Sequence, residues 1–464
     1  MLLSFVTLLD DVLLHLFAIL PLSDVLHVRQ TCKRMHILTK LRTVWCDKFL
    51  LEVLSKNLPI PGDLLPFEEL SGDDLEWRTR QALLLDRGWR VRTLNDPVSL
   101  TLSPPKEGAT QVILLPGGHG AVTVHPHSAL LWLIEPTGKS KYSVKQSAEW
   151  NFPVAGCQVV RDSAYSDHIA IGWMEGPAAR VVVLSVGPGH PFQLLGQSKA
   201  VNGTLIGLHD NFVLMNVVES TGDVGTKGIA LIDWKSNDGG VAILESRPEF
   251  AKYLGFTFYE SHIIVLWEAH LGIFPMPSSI PAQSTTLVKP SQIYALAHHV
   301  QSPVGFSLCR PRQLPGTPYP GSSSEDNGYS CISVIAGCNE RIWGVSNNIT
   351  RSILFPVDKD RTMFRLAKIP TQVEEECSAM SIGSSGRGVW MENGNVRQCT
   401  PREILGSGTQ FKTVDFDDYG KPLWRISRSR SEGSCLDFDD GLGRIATVSG
   451  NDIEIVDLVG VEKV

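Results

Sequence analysis

The chain has 464 residues, 43% hydrophobic and 20% charged, with a net charge of −7 at neutral pH. This is ordinary folded-protein composition at a length that argues for more than one domain, and the negative balance excludes a general attraction to nucleic acid. Nine cysteines with no C-x-x-C pair give neither a disulfide framework nor a zinc spacing and read as buried free thiols.

Residues 8 to 49 read as short helices carrying more apolar surface than so few residues bury among themselves. Thr7 and Asp10 have capping-box spacing, which predicts a helix from about Leu8. Val12, Leu13, Leu14, Leu16, Phe17, Ala18, Ile19 and Leu20 make it oily nearly all round, interrupted only by His15, and such a helix is normally buried on two sides. Pro21 stops it. Ser23 is placed to cap a second helix through Asp24, Val25 and Leu26, and Thr31 a third through Met35, Ile37, Leu38 and Leu41. Leftover apolar surface of this kind marks a protein partner. A signal peptide does not fit, because Asp10 and Asp11 stand where a positive region belongs. The apolar run from Val12 to Leu22 is too short to span a bilayer, and no other stretch looks like a membrane segment. The expected location is cytoplasmic, nuclear or both, so the sequons at Asn202 and Asn348 are expected to have no role.

Leu8, Asp10, Asp11, Val12, Leu13, Leu16, Phe17, Leu20, Asp24, Val25, Arg29, Cys32, Lys33, Arg34 and Trp45 together resemble the F-box family. That pattern runs Leu-Pro-acidic-acidic-Val/Ile-Leu, an Ile/Phe helix, a turn with Asp, Leu-x-x-Arg-x-x-Cys-Lys/Arg and a terminal Trp. Leu9 replaces the family's leading Pro. The resemblance implies docking onto a Skp-family adaptor and, through it, a cullin ubiquitin ligase. The adaptor-facing set it implies is Leu8, Leu9, Val12, Leu13, Leu16, Leu20, Val25, Val28, Cys32 and Met35.

Residues 50–93 continue as a helical linker. It is broken at Pro59, Pro61 and Gly62 and reopened at Ser71, with Asp73, Asp74 and Glu76 at the positive end of the helix dipole. Trp77 and Trp89 are expected to pack against the next domain.

From residue 94 the pattern becomes all-β, in short apolar runs punctuated by Gly, Asn-Gly and Asp-Gly turns. Units of three strands start near Gln111, Cys157, Thr204, Leu254, Cys331, Ser378 and Cys435, about 47 residues apart where regular, as four-stranded propeller blades would be. FQLLG, VAILES, MFRLAKI and FKTVDF supply fourth strands to the second, third, fifth and sixth units. The seventh has none of its own, so VSLTLS at 98–103 is expected to complete it. The expected class is α plus all-β: a three-helix F-box over 1–49, the helical linker, and a closed β-propeller over 94–464. Seven blades fit, eight stay open, and residues 309–330 form an insertion loop. The propeller resembles a degenerate member of the WD-repeat class, since Asp233 and Trp234 end one third strand but no such pair repeats. Trp132, Trp173, Trp267, Trp343 and Trp390 fall on strands and are expected to pack between blades.

No nucleophile elbow, dinucleotide fingerprint, P-loop or H-E-x-x-H occurs. The acidic turns at 415–420 and 437–441 lack calcium-loop ligands, and the His125/His127 and His298/His299 pairs have no third ligand at spacing, so neither cofactor nor metal is expected. Lys199, Arg247, Arg428 and Arg430 belong to one rim and are candidates for gripping an acidic or phosphorylated target. The expected function is a non-catalytic substrate receptor of a ubiquitin ligase. The alternatives are an F-box scaffold working without ubiquitin and a propeller enzyme or lyase-like hydrolase with a helical cap. The second alternative needs converging His, Asp or Arg side chains that the sequence does not supply.

Overall fold

The computed structural model describes residues 8–458 other than 57, 63–66, 91–97, 103–107, 116, 139–140, 163–166, 177, 188–189, 199–200, 220–225, 237–239, 246–251, 282–283, 297–299, 310–311, 314–330, 340–346, 357–363, 370–376, 384, 386, 393–394, 400–402, 406–410, 414–420, 426–434 and 450–451. It begins with helices and continues as β-sheet. The helices are α1 (Asp10–Ile19), α2 (Leu22–Arg29), α3 (Lys33–Leu38), α4 (Arg42–Lys48), a π-helical turn over Phe49–Leu54, a 3-10 turn over Phe67–Glu69, and α5 (Gly72–Arg90). Among the described residues four α-helices thus precede Phe49 where three were expected, because the third ends at Leu38 and a new one starts at Arg42.

Their ends differ from the caps expected. α1 starts at Asp10, not Leu8, behind an extended Leu9 at φ −65° and ψ 150° that makes no side-chain cap. That φ is the one a proline ring fixes, so Leu9 takes the backbone form of the Pro it replaces. Ser23 lies inside α2, whose N-cap is Pro21. The Thr31 hydroxyl donates to the Val28 carbonyl at 2.8 Å, so it closes the end of α2 instead of opening α3. Ser71 does cap α5: its hydroxyl accepts from the Asp74 amide at 3.1 Å, and the Asp74 carboxylate accepts from the Ser71 amide at 3.2 Å.

Among the described residues seven sheets of four or five strands follow, with one small three-stranded sheet. The first comprises Gln111–Leu114, Gly120–Val124, Ser128–Gly138 and Lys141–Asn151, and the second Gln158–Arg161, His168–Glu175, Ala178–Gly187 and His190–Gln197. The third is Gly203–His209, Phe212–Glu219, Thr226–Asp233 and Val241–Leu244, with Thr285–Val288 added in parallel to its outer edge. The fourth is Tyr253–Tyr259, His262–Trp267, His270–Pro275 and Gln292–Ala295. The fifth is Val300–Cys309, Cys331–Asn339, Asn347–Pro356 and Phe364–Ile369, and the sixth Cys377–Ile382, Gly388–Glu392, Asn395–Cys399 and Lys421–Arg425. The seventh is Cys435–Asp439, Arg444–Ser449 and Asp452–Asp457, joined by Val98–Leu102.

Two assignments are corrected. The fifth unit begins at Val300 rather than Cys331, so the Pro-rich insertion falls between the first and second strands of one sheet; the pairing of Val300–Cys309 with Cys331–Asn339 decides this. Phe411–Thr413 lies in the small sheet with Glu403–Leu405 and Arg312–Gln313, and Lys421–Arg425 is the sixth sheet's outer strand.

The expected pairing of the two chain ends is present. Val98–Leu102 runs antiparallel to the last strand, from Val98 opposite Asp457 to Leu102 opposite Ile453. Leu102 is buried in one apolar cluster with Val112, Leu114, Ala446, Ile453 and Ile455, which joins the first sheet to the last. A polar bond repeats the link, the Leu114 amide donating to Asp437 of the last sheet at 2.7 Å, and Arg161 of the second sheet donates to the Leu114 carbonyl at 2.8 Å. Trp132, Trp234, Trp267 and Trp390 are buried and Trp173 partly so, which is the packing role expected for the strand tryptophans, while Trp343 lies outside the described residues.

Candidate functional site

The helical region is built from two apolar cores. Leu13 and Phe17 of α1 meet Val25, Met35, Leu38 and Val44 in the first. In the second, Trp45, Phe49, Val53 and Leu58 pack on Leu70, Leu75 and Ala82, which brings in α5. Polar groups bind the two together. Arg29 donates to Glu76 of α5 at 2.6 Å and to the Thr39 carbonyl at 3.0 Å, and the Trp45 indole N–H donates to that same carbonyl at 2.9 Å. Arg34 bonds Asp10, tying α3 to the start of α1. Lys48, 1% exposed, donates to the carbonyls of Ala18, at 2.9 Å, and of Leu20 at the end of α1. Burial pulls its pKa below the usual lysine value, opposed by the nearby Glu52 and Asp47 carboxylates. Arg29, Asp10, Arg34 and Trp45 of the sequence pattern are therefore brackets of the fold.

The residues expected to face a partner separate into three groups. Leu13, Val25 and Met35 are fully buried and hold the helices together, so they cannot be outward contacts. Leu8, Leu16, Leu20, Val28 and Cys32 are half-buried around that core. Leu9 at 74% and Val12 at 43% stand open. Sequence reasoning left out of that set Ile19 at 78%, Ile37 at 64%, Leu41, Leu50 and Leu51, all exposed. The signal for Ile19 was available, since Val12, Leu16 and Ile19 recur at helical spacing on a face about 110° round the helix from the buried Leu13 and Phe17. Helix α1 is apolar on two sides because one side faces the bundle and the other is uncovered. Of the twelve large apolar side chains exposed among the described residues, eight lie between Leu9 and Trp77 and four in the β region, so apolar exposure concentrates on the helices.

Helix α5 joins the helices to the sheets. Its first half, through Leu75, Glu76 and Ala82, belongs to the helical core. Its second half enters the β region: Trp89 stacks on Phe438 with centroids 5.4 Å apart and is buried among Val389, Met391, Leu436, Ile445 and Leu458, and Asp86 pairs with Arg387 at 2.6 Å. The expectation for Trp89 holds. Trp77 instead is 44% exposed at the other end of the helix. Nineteen residues make a rod about 28 Å long, with each end sunk in a different core.

The acidic turn at 437–441 spends its carboxylates on backbone amides. Asp437 accepts from Leu114 and Phe438, Asp439 from Leu442 at 3.2 Å, and Asp440 from Ser385 at 2.6 Å. Burial and then the neighbouring Asp440 raise Asp439 to about 6. Turn 415–420 and the His298/His299 pair lie outside the described residues. His125 is buried and bonds Thr123 at 3.0 Å, which also accepts from the Trp132 indole. Among the described residues no group of three His, Cys, Asp or Glu could hold a metal, and no helix is long and apolar enough to cross a membrane. Lys199, Arg247, Arg428, Arg430 and most of the insertion also lie outside the described residues.

Residues 7–47 match the F-box domain family, so the N-terminal helices form an F-box domain. No curated protein matches the chain. Solved structures that are similar include that of U3-55K, at 10% identity and a TM-score of 0.43, covering 77% of this chain and 98% of that one. The RRP9 WD40 repeats match at 9% identity and 0.43 over 77% and 97% of the two chains. The WD40 domain of SCAP from fission yeast matches at 9% identity and 0.40 over 76% and 82%.

Proposed function

We propose that this chain is the substrate-receptor subunit of a Skp/cullin/F-box ubiquitin ligase. The F-box, residues 1–49, docks a Skp-family adaptor; the linker, 50–93, holds it at fixed distance; and residues 94–464 form a closed seven-bladed propeller that binds the target. The protein itself catalyses nothing and works in the cytoplasm, the nucleus or both. Its contribution is proximity: holding a target lysine beside ligase-bound ubiquitin turns a rare encounter into a local one. The observation that carries this reading is the uncovered apolar side of the F-box helices, mounted on a rod whose far end is buried in the sheets. Joining of first and last sheets by Val98–Leu102 supports the closed ring.

The adaptor face is tested by charging its most open positions. Val12→Asp with Ile19→Asp places two carboxylates where a dry contact is required, while the buried Leu13 and Phe17 stay intact. Co-purification of a Skp-type adaptor should be lost with the circular dichroism of the full chain unchanged. Undiminished capture by the folded double variant would refute the docking face.

A further inference from the structure

The linker meets the last sheet at the turn between that sheet's first two strands. Trp89 stacks on Phe438 at the start of the turn, and Gly443 at its end lies so close to α5 that a Cβ there would come 2.5 Å from the Leu85 side chain. Between them Gly441 faces Ile60, which packs on the helical core. A Cβ on Gly441 would stand 2.7 Å from the Ile60 carbonyl oxygen and 3.2 Å from the Asp439 carboxylate, so the two oxygens flank one gap that only glycine leaves open. Asp440 accepts from the Ser385 amide, two residues from the Arg387 that pairs with Asp86 of α5. The contacts that seat the linker thus surround Asp439 on both sides in sequence.

The free charge around that carboxyl is mostly negative. Its own strand and turn add Asp437 and Asp440. The second sheet supplies Arg161, which lies 4.0 Å from Asp437 and donates to the Leu114 carbonyl. Arg444, opposite Asp439 in the strand pair, is bound by Asp457, and Arg387 of the sixth sheet by Asp86. Arg87 of α5 is exposed, and residues 59–62 of the linker carry no charge. One backbone amide, that of Leu442 at 3.2 Å, donates to the carboxylate. Burial first and Asp440 next therefore hold its pKa at about 6. A protonated carboxyl sets no charge against the Ile60 carbonyl and can donate a hydrogen bond, whereas an ionised one only accepts.

Relief of the ionised carboxylate does not require the sheets to unfold. Lifting the linker off the turn admits water to it while the strands keep their ladders, a local opening of the kind native proteins undergo. The buried Trp89 and the Asp86–Arg387 pair keep the closed joint dominant. What the charge changes is how often the joint opens.

We propose that the joint between α5 and the last sheet is a proton-controlled latch centred on Asp439, held firmly while the carboxyl is protonated and opening more often once it is ionised. In the open joint the carboxyl returns towards its ordinary 3.8. Closure therefore favours the protonated form, and its hold weakens as pH rises between about 4 and 6. The latch sets how firmly the helices are held against the sheets and needs no ligase role.

Backbone amide exchange of the full chain, corrected for the intrinsic effect of pH on exchange, tests the latch. Between about pH 4.5 and 7.5 the protection of residues 85–90, the half of α5 seated on the sheets, should fall about 10-fold. The first half, packed in the helical core through Leu75 and Ala82, should change far less. Asp439→Asn should keep residues 85–90 protected at both pH values. An equal response in the two halves, no response at 85–90, or a fall retained by Asp439→Asn overturns the proposal. If the variant misfolds, the comparison of the two halves in the unaltered protein still decides. Adaptor capture enters none of these readouts, so failure of the ligase reading would leave them unchanged.

Discussion

Trp77 and Trp89 lie twelve positions apart on one helix, and replacing each by Ala separates a rod seated in the sheets from a loose tether. Trp89 is 2% exposed and stacked on Phe438, whereas Trp77 is 44% exposed. Burying a tryptophan removes about 200 Å² from water, worth about 5 kcal/mol as an upper bound. Measured truncations of buried aromatics fall slightly lower, so Trp89→Ala is expected to cost about 4 kcal/mol. Trp77→Ala should cost under about 1 kcal/mol, as surface changes do. Urea unfolding of the full chain, followed by circular dichroism and extrapolated to water, reads both values. A flexible tether would leave the sheets equally stable in both variants. Equal costs, or a Trp89→Ala variant whose β signal melts as in the unaltered protein, would refute the seating of α5. Adaptor capture by the folded fraction should be unchanged in either variant.

Leu102→Ala, emptying a fully buried position in the strand that joins the chain's two ends, should destabilise the sheets by about 3 kcal/mol; an unchanged urea midpoint would mean that the strand is dispensable. Asp439→Asn should stabilise above neutrality and not in acid. Burial holds the folded carboxyl at about 6 against 3.8 unfolded, so its ionisation penalty is absent well below pH 4, grows between about 4 and 6, and is full above 6. The shift corresponds to about 3 kcal/mol for a fully buried group, and Asp439 keeps some exposure, so a gain of about 2 kcal/mol at pH 7.5 is expected. Equal gains at pH 4 and 7.5 would exclude the carboxyl as the cause. The introduction of charge at Val12 and Ile19 completes the set.

Local pattern was enough for much of this chain. The F-box residues, the cap at Ser71, most strand runs and the use of Val98–Leu102 to complete the last sheet were legible because each depends on nearest-neighbour chemistry or on an unpaired strand needing an edge. Tertiary packing decided the rest. Leu13 and Val12 are adjacent and equally apolar, yet one is core and the other open, since only the docked bundle determines which side of α1 is covered. Thr31 is a local exception: its hydroxyl reaches back three residues to the Val28 carbonyl and closes one helix instead of opening the next. Val300–Cys309 reads weakly as a strand, interrupted by Ser302 and Pro303, and is one because Cys331–Asn339 offers a partner across a long insertion. Trp173 and Arg180, on separate strands in unremarkable sequence, come opposite one another only when those strands pair. Propensity and periodicity are properties of a segment; burial and juxtaposition belong to whichever other segment arrives, and no local pattern encodes that arrival.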